Sequence, residues 1–190
     1  MRDGITIDDP LAVVLGFLGH WRIDLGQASA PTSFGEPDLR LANRGGARIS
    51  ATEIAAILER RRAIEQALRA IAPDASLARA DVPWRPLRKL FDAFGDIRGV
   101  GFSKMTKTLH PKRPALIPML DSVVQGYLEG DDPGNREPFG ERGLALVHGY
   151  KRDLDRNRKE LRTLRRELAA RGYQLAEVRI LDLLIWSVAA

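Results

Sequence analysis

The sequence predicts a mainly α-helical protein folded as one compact domain over residues 1–190. Apolar residues recur at helical spacing along several segments, Ala, Leu and Arg dominate the composition, and helix start and stop signals punctuate the chain. Aromatic residues make up only 6%, which disfavours a sandwich or barrel. At 190 residues the chain is long enough for one sizeable core and short for two. Its 44% hydrophobic and 29% charged residues set it among globular rather than disordered chains.

The elements follow in order. Thr6 or Asp8 can cap a first helix through Leu11–Leu18. Residues 26–48 read as the least regular region, a loop with a short extended piece at Leu39–Leu41 and a turn at Asn43–Gly46. Ser50-Ala-Thr-Glu53 is a capping box and starts a long helix with Ile54, Ile57, Leu58, Ile64, Leu68 and Ile71 on one stripe, stopped by Pro73. Pro86 suits the first turn of a helix over Leu87–Phe94. A second short helix, Phe102–Leu109, follows the Gly99-Val100-Gly101 turn, and a third, entered at Asp121, ends at Gly126–Leu128. A helix near Glu141–His148 is expected to run into the charged stretch 150–170, where Leu154, Leu161, Leu164 and Leu168 form a stripe. Gly172 is the expected C-cap. The last helix, Leu175–Val188, is apolar along Val178, Leu181, Leu184 and Ile185 and should be buried.

The chain has no cysteine, which excludes disulfides, Cys-ligated zinc and Cys-ligated iron–sulfur clusters. His20, His110 and His148 lie far apart without metal-ligand spacing, so neither a metal nor a cofactor is expected. No signal peptide is visible, and the apolar run Ile180–Ala190, broken by Asp182, is too short to span a bilayer. The expectation is a cytoplasmic protein with no membrane partner; the oligomeric state is not legible.

The net charge of +5 is unevenly placed. Arg85–Arg113 holds eight Lys and Arg against Asp92 and Asp96, a local +6, so the remainder sums to about −1. A surplus gathered around the glycine turn suits a polyanion. Two short helices joined by that turn would form a helical hairpin, with the free amides and positive dipole end of the second helix pointing outward as an anion site. Lys104 and Lys107 sit about one turn apart and could flank the same phosphate backbone.

Ile97, Gly99, Val100, Gly101 and Ser103, with Asp121 twenty residues after the second glycine and Leu116-Ile-Pro-Met-Leu leading into it, resemble the helix-hairpin-helix DNA glycosylase superfamily. The likeness covers about residues 87–128. It implies that Gly99 and Gly101 contact a phosphate of double-stranded DNA and that Asp121 is the catalytic carboxylate; Val100, Ser103, Lys104 and Lys107 beside the turn are expected to share the phosphate contact. Arg98, His110, Lys112 and Arg113 would supply further basic contacts. Ser103 stands where bifunctional members carry a lysine nucleophile, so the resemblance points to monofunctional base removal in DNA repair, a hydrolase activity. Over most of its length the chain also resembles an uncharacterised group of actinobacterial proteins, through Lys112–Val124 and Leu181–Trp186.

A carboxylate at the site would stabilise the positive charge that builds on the sugar as an N-glycosidic bond breaks. Asp before Ser-Val-Val is equally an ordinary N-cap. Trp21, Trp84 and Phe91 could stack on an extruded base or fill the core. Glu36, Asp38 and Asp182 could complete a site, although nothing in the sequence places them there. The Lys151–Arg171 stretch, nine basic residues against four acids, could widen a DNA-facing surface or be a solvated helix face. Two alternatives stand beside the glycosylase reading: a non-catalytic helix-hairpin-helix DNA-binding module, and a helical protein-interaction domain.

Overall fold

The computed structural model describes residues 4–20 and 29–189. Among them are ten α-helices, two 3₁₀ turns and no strand. Helix α1, Pro10–His20, is capped by Asp9 rather than Thr6 or Asp8: its Oδ1 accepts the Ala12 amide at 2.9 Å. Helix α2, Glu36–Arg44, replaces the loop and short extended piece expected there. Leu39, Leu41 and Ala42 bury one of its faces, and the Asp38 carboxylate accepts the Gly35 amide at its start.

The capping box at Ser50 is present. Its hydroxyl accepts the Glu53 amide at 3.3 Å, and the Glu53 carboxylate accepts the Ser50 amide at 2.8 Å. The long helix expected after it is divided into α3, Ala51–Glu59, and α4, Arg61–Arg69. At the break the Arg60 amide bonds to the Ile57 carbonyl, a tight turn with no Gly or Pro to announce it. Helix α5, Trp84–Asp92, starts three residues earlier than expected, with Pro86 in its first turn. Helix α6, Phe102–Leu109, has the expected bounds, and α7 is Ser122–Tyr127.

The charged C-terminal third is two helices, α8, Phe139–Arg156, and α9, Arg158–Ala170, parted at Asn157. The Asn157 side chain donates to the Asp153 carbonyl at 2.7 Å and so competes with the helical ladder. Gly172 follows α9 at φ +90°; its amide bonds to Ala169 and the Tyr173 amide to Leu168, both at 3.0 Å, closing a Schellman end.

Helix α10, Glu177–Ala189, is the centre of the core: every residue from Glu177 to Ile185 is buried. It packs against α1, α7 and α9. Helix α5 packs chiefly on α8 and α4, whereas α6 packs on α2. Residues 93–101 join α5 to α6, and each helix rests mainly on other elements rather than on its partner.

Candidate functional site

The Gly99–Gly101 turn is built from apolar pegs and exposed glycines. Ile97 and Val100 are buried, so the Val100 side chain anchors the turn and offers nothing to a ligand. Gly99, at φ +83°, and Gly101 are exposed, as is Arg98. Gly101 is the N-cap of α6, and no side chain caps that helix. The first-turn amides of α6 therefore have the geometry of an anion site, with the positive end of the helix dipole behind them. Ser103, in that first turn, is half-buried.

An acid that the sequence did not point to stands beside this turn. Glu53 lies against the Gly99 α-carbon, where an added β-carbon would overlap its carboxylate. The same carboxylate holds Lys104, with Nζ at 2.6 and 2.8 Å from its two oxygens. Burial pulls the Glu53 carboxyl upward, but the bonds from Lys104 and Ser50 outweigh it and hold it below the ordinary value. Lys104 is thus already paired. Lys107, in the last turn of α6, reaches away to the Gly46 carbonyl at 3.4 Å and does not flank Gly101.

Asp121 is the N-cap of α7. Its Oδ1 accepts the Val123 and Val124 amides, each at 3.1 Å, and its Oδ2 accepts the Trp186 indole N–H from α10 at 2.9 Å. The residue is 7% exposed. Both oxygens are engaged in holding α7 to α10, which is the work of a structural cap. This geometry gives no support to the catalytic role implied by the glycosylase resemblance.

The remaining basic contacts expected of the segment turn inward. Lys112 is buried against Asp38 at 2.8 Å and also donates to the Ser29 and Ala30 carbonyls and the Ser29 hydroxyl. Arg113 is fully buried: Nη1 donates to the Pro31 and Lys112 carbonyls, and Nη2 to those of Leu68 and Ile71. His110 is buried with Nδ1 2.6 Å from the Ile117 carbonyl. Lys112, Arg113 and His110 are accordingly corrected from phosphate contacts to internal ties. Much of the local +6 is consumed inside the fold, and Arg88 is further paired with Glu141 at 2.5 Å. Arg85, Lys89 and Arg98 remain exposed.

The other candidates are dispersed. Phe91 is core, and Trp84 stacks on His148 with ring centroids 3.8 Å apart. Burial, then the charges of Arg152 and Lys151, lower the His148 pKa. Trp21 and the His20 side chain lie outside the described residues. Glu36 pairs with Arg40 on an exposed face, and Asp38 is taken by Lys112. Asp182 is buried, with Oδ2 accepting the Met119 amide at 3.3 Å; burial pushes its carboxyl up to about 7 against the pull of Arg179. Along Lys151–Arg171, Lys151 and Arg158 pair with Asp155, Arg152 with Asp131 and Arg156 with Asp153, the pattern of a solvated face. Among the described residues no cluster of three or more His, Asp or Glu could hold a metal, and no helix is long and apolar enough to cross a membrane.

Fold and site together define an all-α protein with an exposed glycine turn at the start of a helix that no side chain caps. Residues 22–189 match a family of unknown function, DUF6308, and the chain belongs to that family. No curated protein and no solved structure matches it.

Proposed function

We propose that this chain binds the phosphate backbone of duplex DNA without acting on it. One observation carries the reading: α6 begins at exposed Gly101 with no side-chain cap, beside exposed Arg98. Backbone amides at such a start read charge and shape rather than base sequence. Base removal is not part of the proposal, because both oxygens of the carboxylate implied to perform it hold α7 and Trp186.

The test is duplex affinity measured against salt. Phosphate contacts make the affinity fall steeply as salt rises, by a slope of about 0.9 per contact. Gly101→Asp adds an acidic N-cap at a position where a β-carbon meets nothing within 4 Å. The variant should be as stable as the parent or slightly more so, by about 0.5 kcal/mol, and should lose DNA affinity. No detectable binding at low salt, or equal binding by Gly101→Asp, overturns the proposal. Incubation with damaged and mismatched duplexes followed by alkali should leave no abasic sites; a signal abolished by Asp121→Asn would restore the glycosylase reading.

A further inference from the structure

At the other end of α6 lies a hollow of about 230 Å³. It is enclosed by the C-terminal end of α2, the last turn of α6 with the 3₁₀ turn His110–Lys112, the connection into α7 and the approach to α10. Lys107, His110 and Arg179 stand in its wall, and among the described residues no carboxylate does. The rest is mainly apolar, with Leu41, Met119 and Leu175 prominent. This combination, an apolar recess with a few convergent polar groups, is that of a small-molecule site.

The cations are built in rather than draped over the surface. Arg179 is 7% exposed, and its Nη1 reaches the soft Met119 sulfur at 3.7 Å. The Ile117 carbonyl can only accept, so it fixes the proton of buried His110 on Nδ1 and sets the ring orientation. The Lys107 ammonium covers the Gly46 carbonyl at 3.4 Å and has no carboxylate within 4.0 Å among the described residues. Asp182 lies one turn beyond Arg179 on α10. Arg179 draws the buried Asp182 carboxyl downward against the larger effect of burial.

We propose that the hollow binds a small organic carboxylate, with the two head oxygens facing Arg179 and Lys107 and a compact apolar body against Leu41, Met119 and Leu175. A planar two-oxygen head matches the guanidinium fork. The space, roughly eight water-sized units, suits a body the size of one ring. This site shares no atom with the α6 amides, so it stands or falls separately from DNA binding.

Benzoate is the probe, with benzyl alcohol as the uncharged control and phenyl phosphate as the alternative anion. Titration followed by amide NMR should move Gly45 and Ala176 with a Kd of about 1 mM or tighter, and benzyl alcohol should bind at least about tenfold more weakly. Lys107→Gln should weaken benzoate about tenfold with the melting temperature unchanged. Ala176→Phe should fill the hollow and abolish binding, and Gly101→Asp should leave it as it is. The proposal is overturned if about 10 mM benzoate leaves Gly45 and Ala176 unmoved, a concentration well above the expected Kd. Equal binding of benzyl alcohol, tighter binding of phenyl phosphate, or no effect of Lys107→Gln overturns it too.

Discussion

The Glu53 carboxylate rests on the α-carbon of Gly99 while it holds the Lys104 ammonium. A capping box formed in residues 50–53 is thereby joined to a turn almost fifty residues later, and the residue at 99 is constrained twice. Its φ of +83° disfavours any side chain, and its neighbour leaves no room for one. Gly99→Ala is expected to lower unfolding stability by about 2 kcal/mol or more in a urea titration. A variant within about 0.5 kcal/mol of the parent would show that the turn and Glu53 are not in contact.

Glu53→Gln separates stability from binding. Glutamine can still accept the Ser50 amide in the box, so the loss is the half-buried pair with Lys104, about 1 kcal/mol. Freed of its partner, Lys104 should strengthen duplex binding and steepen the salt slope by about one unit. Affinity measured at three or more salt concentrations checks both signs.

Asp121→Ala removes the cap of α7 and leaves the Trp186 indole without this acceptor. The expected cost is about 2 kcal/mol. Asp121→Asn keeps an acceptor for the Val123 and Val124 amides and should cost less. Equal losses in denaturant titrations would contradict the division of labour between the two oxygens.

Lys112→Ala should be the most damaging of these changes, at about 3–5 kcal/mol, because it leaves Asp38 charged and buried without its cation. Arg98→Ala, at an exposed position, should stay within about 0.5 kcal/mol of the parent while weakening DNA binding. Paired thermal-melt and binding measurements separate an internal tie from a surface contact.

Asp182 sets a pH dependence whose sign is opposite to the usual carboxylate case. Its folded pKa of about 7 lies above the unfolded value of about 3.9, so the folded state holds the extra proton in between. Stability from this group is complete below about pH 4 and declines as pH rises to about 7. Asp182→Asn should flatten that decline and gain on the order of 4 kcal/mol over the parent at pH 8 relative to pH 4. His148, whose pKa is lowered chiefly by burial, acts in the other direction: its contribution falls as pH drops below about 6.5. The comparison of Asp182→Asn with the parent at each pH removes the His148 contribution.

What the sequence discloses here is what is local. The box at Ser50, the cap at Asp121, the Gly172 end, the bounds of α6 and the stripe of α10 depend on residues within a turn or two, and all are legible in the sequence. Helix α2 was not, because Pro37 and Asn43-Arg-Gly-Gly46 crowd its short apolar face and its buried Asp38 is satisfied by Lys112 from far along the chain. The breaks at Arg60 and Asn157 carry no glycine or proline. The same separation misled the reading of charge. Lys112 and Arg113 look like surface cations until the carbonyls of residues 29–31, 68 and 71 are brought to them.

The tie from Lys112 to Ser29 spans 83 residues. During synthesis at about 5–20 residues per second, Asp38 waits roughly 4 seconds or more for its cation, with α2 unable to seat. The docking of α2 is therefore timed by translation, and faster elongation through the middle of the chain shortens the interval in which the apolar face of α2 is open to other chains.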